Sequence, residues 1–256
     1  MNGQRLIILL CSIFFSISVC AQGKISRPTQ QPHNMSSSST KVNDNTNIIS
    51  KFNWDNDGIC QDTIVDLGLS VNWAGWNIGA NSPDQEGTLF GWGDPSGKER
   101  SIYSAKYPVK DPPMSICGDS RYDMAMVNWG WPWRLPNRKE LDELVSKCKW
   151  EEMYYHGIKG FKLTGPNGNT LFLPITRSRT PIWDKDKQDY KDELETKQSS
   201  TGHYYSGELN SNGGKWEPWD CRPYVLCCFG GSIARGSVDG TTLRCTGYPV
   251  RAVYDK

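Results

Sequence analysis

The segment NWGWPWRLPNRKELDELVSKCKW, Asn128–Trp150, decides how the fold is read. Asn137 precedes a short helical pattern and Glu140 follows three residues later, which is the spacing of a capping box with Asn as the cap. Apolar side chains then recur at i, i+3, i+4 and i+7 on one helix face: Leu141, Leu144, Val145 and Cys148. The sequence therefore predicts a helix of about ten residues, which needs a sheet or an aromatic layer to pack on because so short a helix is marginal alone.

Four tryptophans surround this helical pattern, and they suit a sugar-binding platform, an active-site wall or a core. We expect Trp133 and Trp150 to be core residues, because burying a tryptophan removes about 150–250 Å² from water. Trp131 precedes Pro132 and is expected in a loop. On this interpretation most of these rings hold the fold together.

Upstream, the sequence predicts one strand followed by tight turns. In IVDLGLSVNWAGWNIG, 64–79, apolar residues alternate with polar or small ones at the period of a half-buried strand: Val65, Leu67, Leu69 and Val71. The glycine-rich run GTLFGWGDPSG, 87–97, is predicted to form turns that hold Phe90 and Trp92 inward. It is not a phosphate loop, because neither a strand-to-helix switch nor a Lys-Ser/Thr pair accompanies the glycines.

Downstream, the patterns are mostly those of strands. GIKGFKLTGPNGNTLFLPI, 157–175, predicts a hairpin with GPNGN as its turn. The charged run Trp183–Gly202 is interpreted as a solvated insertion, and HYYSGEL, PYVLCCF and YPVRAVY are predicted as closing strands. Strands, one clear helix and then more strands indicate an α+β domain with an antiparallel sheet.

The N-terminal residues are typical of an export signal. A positive Arg5 precedes the apolar run Leu6–Val19, which is too short to span a bilayer comfortably, and cleavage is expected after Ala21. The alternative is a lipid anchor on Cys20, although the preceding valine is bulkier than such sites usually carry. No second apolar run follows, so we expect an exported chain without a transmembrane helix, in the periplasm, at the cell surface or outside the cell.

Composition divides the remainder into two parts. Residues 22–56 are polar and are predicted to form a disordered tether, because they contain too few apolar side chains to offset the entropy cost of ordering. Residues 57–256 are long enough for one domain with a sizeable core.

Charge and cysteine content restrict the partners and the kinds of site. The chain has 29 Lys+Arg and 28 Asp+Glu, and no basic stripe indicates nucleic acid. Of nine cysteines, seven lie beyond the signal, so in an oxidising compartment some should pair while at least one is free or pairs between chains. A zinc site is not expected, because no CxxC pair occurs and the three histidines are scattered.

Six blocks of the domain resemble, in order, the recurring blocks of the Fibrobacter succinogenes major paralogous domain family: VDLGLSVNWAGWNIGA (65–80), FGWGD (90–94), WRLPNRKELDEL (133–144), GPNGNTLFLP (165–174), HYYSGEL (203–209) and YPVRAV (248–253). The similarity runs from about Thr63 to Val253, and WRLPNRKEL is its most specific block. Members of that family are exported bacterial proteins, and the family looks like part of the C-type-lectin-like fold. The resemblance implies a compact α+β domain with its terminal strands together and a long loop region before the closing strands. It implies no reaction and no cofactor.

The resemblance also identifies candidate disulfide residues. The closing strands lie side by side in the resembling fold, which makes disulfide candidates of Cys221, Cys227, Cys228 and Cys245. Trp76 stands where the family often has a cysteine alongside the one that matches Cys148. Cys148 therefore lacks that potential partner. The charged insertion is also longer than the family pattern needs.

C-type-lectin-like domains bind ligands through the long loop region, which here runs from about Thr176 to Arg222. The candidate ligand-binding residues in it are Trp183, Trp216, Glu217, Trp219 and Asp220, because rings stack on sugars and carboxylates accept hydroxyl hydrogen bonds. The alternative is that these rings pack the loop onto the domain. A lectin-type calcium site is not expected, since WEPWD, 216–220, has a tryptophan where such sites carry an amide.

These observations favour an exported, non-catalytic binding module of the bacterial envelope or cell surface that recognises a glycan or a protein without calcium. The alternative is a structural or interaction subunit of an envelope assembly. An enzyme is less favoured, because no nucleophile signature such as G-x-S-x-G occurs and nothing singles out a pair of carboxylates.

Overall fold

A computed structural model of the chain describes residues 53–101, 106–109, 111–194, 201–210, 222–230, 235–240 and 242–256. All of these residues belong to one compact unit, Ile48–Lys256. The predicted signal, 1–21, and nearly all of the predicted tether, 22–56, lie outside the described residues. Within the described part, antiparallel strands predominate and two helices are present, which fits the α+β class predicted from the sequence.

The elements follow the chain as β1 (Ile64–Val65), β2 (Asn72–Ala74), α1 (Met124–Trp129), β3 (Trp133–Arg134), α2 (Arg138–Lys147), β4 (Lys149–Tyr155), β5 (Ile158–Thr164), β6 (Thr170–Pro174), β7 (Arg179–Asp184), β8 (Asp189–Leu194), β9 (Thr201–Leu209), β10 (Pro223–Phe229), β11 (Arg235–Asp239) and β12 (Val253–Tyr254). The strands form four sheets: β1-β2-β12-β3, β4-β5-β6, β7-β8 and β11-β10-β9. Because β12 pairs with both β2 and β3, the first and last strands of the domain share one sheet.

Helix α2 confirms the capping prediction. The Asn137 side chain accepts a hydrogen bond from the Glu140 backbone N–H, and the Glu140 carboxylate accepts one from the Asn137 N–H. Leu141, Leu144 and Cys148 are buried, with Val145 packed beside them. The apolar face predicted from the spacing is therefore the face that meets the core.

The strand predicted over Val65–Val71 is only partly present. The four alternating apolar side chains are all buried, but only the first belongs to β1. Gly68 has φ 75, a left-handed conformation, and its N–H donates to the Asp66 carboxylate. The chain therefore turns where the alternation predicted a continuous strand, and β1 pairs back onto β2.

The middle hairpin is confirmed and the insertion is corrected. Strands β5 and β6 pair with Phe161 opposite Leu173 and Leu163 opposite Leu171. The start of the run interpreted as a solvated insertion instead belongs to a two-stranded hairpin, β7-β8, in which Trp183 pairs with Tyr190. Of the three predicted closing strands, two form β9 and β10, whereas YPVRAVY contributes only the short β12.

The core consists of two main hydrophobic clusters separated by the β9-β10 ribbon. Leu226 and Cys228 of β10 enter one cluster, and Val225 and Cys227 enter the other. Because successive residues of a strand point to opposite faces, this ribbon is buried on both sides. Phe90 and Trp92 are buried as predicted, and Trp92 Nε1 donates to the Ser206 carbonyl across 2.9 Å.

The disulfide prediction is not supported within the described residues. Cys227, Cys228 and Cys245 are free thiols, and Cys221 lies outside the described part. Cys227 and Cys228 point into separate hydrophobic clusters, so the two thiols have different neighbours. Burial raises the pKa of the Cys227 thiol to about 11 and that of Cys228 well above its usual value. Both behave as small core residues.

The tryptophans of the opening segment divide between core edge and surface. Trp133 packs edge-on against Trp129 and Tyr254, with ring centroids 5.1 and 5.2 Å apart. Trp133 and Trp150 are half-buried and pack against different hydrophobic clusters, which supports the core interpretation. Trp131 is 71% exposed, in keeping with the predicted loop.

Arg134 joins β3, α2 and the C-terminal residues. Its guanidinium donates to both carboxylate oxygens of Glu140, at 2.9 and 2.7 Å, and to Asp255. Hydrogen bonding to Glu140 raises the pKa of Arg134, despite the opposing effect of burial. The same Glu140 carboxylate closes the capping box, so one acidic side chain fixes both the start of α2 and its position on the first sheet.

Candidate functional site

A pocket of about 300 Å³ lies where three segments distant in sequence meet. Its apolar wall is formed by Ile158, Pro174 and Ile175. Its polar groups are two acidic side chains, one hydroxyl and one guanidinium: Asp84, Glu86, Thr176 and Arg177. An apolar wall with a few convergent polar groups is the usual composition of a small-ligand site.

The loop that supplies the two acidic residues is fixed from within the protein. The buried Asn77 side chain donates to the Glu86 carbonyl at 2.9 Å and accepts from Arg251 Nε at 2.8 Å. Gly87 closes the loop at φ 75, where a Cβ would lie 2.4 Å from the Ile78 carbonyl oxygen. The acidic residues are therefore held on a short closed loop rather than on a free turn.

Arg251 connects this loop to the sheets. Besides Asn77 it donates to the carbonyls of Ala74, Gly75 and Phe172. Burial lowers the pKa of Arg251 to about 10, because few charges offset its desolvation. The residue before Arg251 belongs to the second hydrophobic cluster, and Ala252 and Val253 after it are also fully buried, so the guanidinium is fixed by packing as well as by hydrogen bonds.

A tight turn between β4 and β5 leads into Ile158 of the pocket wall. Its residues His156 and Gly157 have φ 49 and 80, as a two-residue type I′ turn requires. The His156 ring stacks on Tyr155, and its Nδ1 lies 3.6 Å from Asp84 Oδ2. Burial, followed by hydrogen bonding to Asp55, raises the pKa of the Tyr155 hydroxyl.

The charges of the pocket are unequally compensated. Arg177 contacts Glu86 through its backbone N–H at 2.8 Å, through Nε at 3.2 Å and through Nη2 at 2.9 Å. In the described part of the chain, the cationic neighbour of Asp84 is His156, which is charged only when protonated. Two buried oxygens, Asp84 Oδ1 and Thr176 Oγ1, have no hydrogen-bond partner. A buried polar atom without a partner is destabilising, and a ligand could satisfy either atom only after a side-chain rotation, because both are almost inaccessible to solvent.

The residues predicted from the loop region are not assembled into a site by the described structure. Trp183 lies on β7, 45% exposed, and does not line the pocket. Trp216, Glu217, Trp219 and Asp220 lie outside the described residues. Thr176, at the start of the predicted loop region, does line the pocket, although it was not among the predicted binding residues.

The pocket could not be predicted from the sequence, because its residues come from separate local patterns. The polar run SPDQE, 82–86, was one signal, since two acids in a turn after an apolar segment suit a binding loop. Thr176 and Arg177 directly follow the buried strand β6, a second signal of polar groups at a strand end. Neither signal indicates the other, because the two runs are about 90 residues apart.

Comparison with known proteins finds no matching family model, no matching curated protein and no matching solved structure. Among the described residues, no three His, Cys, Asp or Glu side chains are grouped as a metal site would need. In the same part of the chain, no helix is long and apolar enough to cross a membrane.

Proposed function

We propose that this domain is a non-catalytic binding module of an exported bacterial protein, and that its pocket receives one sugar unit of a glycan. The observation that carries the proposal is the pocket itself, whose lining combines an apolar wall with the polar residues Asp84 and Thr176. Sugars present both apolar C–H faces and hydroxyl groups, so they match both sides of such a pocket. A volume of about 300 Å³ is at the lower end of the range for small-ligand sites, which favours a single ring over an extended ligand.

Binding without catalysis fits the disposition of the acidic groups. Glu86 is engaged by Arg177 through three hydrogen bonds, so its oxygens are occupied. Asp84 then remains as a single carboxylate, whereas glycoside hydrolysis generally requires two carboxyl groups acting together. The hydroxyl of the lining, on Thr176, has no hydrogen-bond partner among the described residues, so no adjacent base is placed to activate it.

The proposal includes the C-type-lectin-like fold and membership of the resembling bacterial family. Pairing of β2 with β12 supports it, because the terminal strands of such a domain lie together. The blocks WRLPNRKEL and YPVRAV support it too, since Arg134, Glu140 and Arg251 in them make the contacts that organise the fold. Export and the location at the cell envelope remain part of the proposal through the N-terminal segment.

A glycan array followed by calorimetry with the purified protein tests this function. Ile158 is half-buried on the pocket wall, so Ile158→Arg should fill the pocket and reduce binding at least about tenfold, equivalent to 1.4 kcal/mol. Ile64→Arg is the matched control, because Ile64 is 36% exposed and does not line the pocket. EDTA should leave binding unchanged, since calcium is not part of the proposed site.

The outcomes separate the alternatives. Binding that survives Ile158→Arg would favour a site away from the pocket, at the candidate residues Trp216 and Trp219 predicted from the sequence. Absence of glycan binding together with a co-purifying envelope protein would favour an assembly subunit. Loss of binding in EDTA would contradict recognition without calcium.

A further inference from the structure

The pocket has one carboxylate whose charge is not matched by a fixed cation. Arg177 and Glu86 compensate each other through three hydrogen bonds. The imidazole of His156 is 61% exposed and its Nδ1 lies 3.6 Å from Asp84 Oδ2, beyond ordinary hydrogen-bond length. Asp84 therefore gives the pocket a negative potential whenever His156 is neutral.

The two partnerless atoms of the pocket both accept hydrogen bonds. Asp84 Oδ1 is a carboxylate oxygen and can only accept, and Thr176 Oγ1 has free lone pairs. Thr176 is 5% exposed, so water reaches its hydroxyl poorly. Both oxygens are almost inaccessible to solvent, so each side chain must rotate to present its oxygen to a ligand, and the terminal torsion of an aspartate is soft.

An ammonium group and a hydroxyl group can each bridge the two side chains: the ammonium donates to both, whereas the hydroxyl donates to Asp84 and accepts from Thr176. The ammonium matches the arrangement better because of its charge. It brings the missing positive charge, and hydrogen bonds between charged groups are about twice as strong as neutral ones. A ligand carboxylate or phosphate would face Asp84 with like charge and find Arg177 already engaged.

We infer that the sugar unit selected by this pocket carries a primary ammonium group, which binds Asp84 and Thr176 while the ring lies on Ile158, Pro174 and Ile175. The inference rests on the proposed function and specifies its ligand. It excludes acidic sugars as preferred ligands.

Calorimetry of the purified protein with four small ligands tests the inference. Glucosamine carries the ammonium, N-acetylglucosamine and glucose are neutral, and n-butylamine carries an ammonium without a sugar ring. With the amines protonated, glucosamine should bind at least about tenfold more tightly than either neutral sugar, as expected for one added charged hydrogen bond. Asp84→Asn keeps the shape and should reduce that preference to about onefold, without abolishing glucose binding.

Two further variants complete the design. Thr176→Val removes only the hydroxyl and should weaken glucosamine more than glucose. Asp142→Asn makes the same charge change as Asp84→Asn at an exposed helix position and should alter nothing. Unchanged circular dichroism of each variant shows that loss of binding is not loss of folding.

The possible results distinguish the ammonium preference, the recognition of a sugar ring and the proposed function of the pocket. Equal binding of glucosamine and glucose, with Asp84→Asn neutral, would overturn the ammonium preference and leave the proposed function standing. Tight binding of n-butylamine equal to that of glucosamine would support the ammonium site but overturn recognition of a sugar ring. No binding of any of the four ligands would overturn both the inference and the pocket's proposed function.

Discussion

Replacing Arg134 by methionine should show how much the contacts of this side chain contribute to the stability of the fold. The side chains of Arg134 and Glu140 are 14% and 9% exposed, so the pair is shielded from water. Arg134→Met keeps the apolar length of the side chain but leaves Glu140 without its guanidinium. Removing one partner of a buried ion pair costs about 3–5 kcal/mol, because the remaining charge stays desolvated.

The lower end of this range applies here. Glu140 retains the hydrogen bond from the Asn137 N–H, so it is not left without any donor. We therefore expect a loss of about 3 kcal/mol in the free energy of unfolding, measured by urea denaturation. For a domain of this size that corresponds to a fall in melting temperature of roughly 6–12 °C.

Two companion variants test whether the loss of stability comes from the uncompensated charge of Glu140. Adding Glu140→Gln to Arg134→Met removes that charge while keeping a capping acceptor, and it should restore about 1–2 kcal/mol. Lys147→Met breaks an i,i+4 pair with Glu143 on the same helix, in which the lysine is 57% exposed, and should cost about 0.3–0.5 kcal/mol. A loss below about 1 kcal/mol for Arg134→Met, or a double variant less stable than the single one, would refute the reasoning.

Three further predictions concern the opening segment, acid stability and the thiols. Trp133→Ala should lower the free energy of unfolding by about 3 kcal/mol in urea denaturation, since it removes a ring packed between two others. Trp131→Ala, at an exposed position, should cost less than about 0.5 kcal/mol. Equal costs for the two variants would contradict the core interpretation. Partial burial would raise the pKa of Glu143, but hydrogen bonds from Lys147 and Ser70 outweigh it and hold that pKa below its usual 4.5. Its contribution is therefore present above pH 4.5 and lost as the pH falls, so stability measured from pH 7 to pH 3 should decline less in Glu143→Gln; parallel curves would show that Glu143 contributes nothing. Cys227 and Cys228 should remain unlabelled by a maleimide in the native protein and react after unfolding, because burial raises both thiol pKa values; rapid native labelling, or a disulfide at either residue in non-reducing peptide maps, would contradict the structure.

Local signals in the sequence predicted local structure well. The Asn137–Glu140 spacing, the helical apolar face and the GPNGN turn each depend on residues a few positions apart, and all three are present. The alternation over Val65–Val71 predicted burial but not conformation, since the left-handed Gly68 and the Asp66 side chain turn the chain. A glycine within an alternating run was the sequence feature that indicated a possible bend in the strand.

Long-range features were not predictable in the same way. The β7-β8 hairpin has no clean apolar alternation, because Asp184, Lys185, Asp186 and Lys187 surround its turn, so the charges suggested an insertion. The pocket combines a loop near Asp84, the start of β5 and the end of β6. Periodicity within one segment carries no information about which distant segment lies opposite, and the free thiols likewise depend on which cluster each cysteine enters.

A crystal structure of the protein grown or soaked with glucosamine tests the central claim most directly. The account predicts the sugar in the pocket, with its nitrogen about 2.7–3.2 Å from both the Asp84 carboxylate and Thr176 Oγ1, and with the ring against Ile158 and Ile175. Density for the sugar on the β7-β8 hairpin or beside Trp216 and Trp219, with the pocket empty, would contradict it.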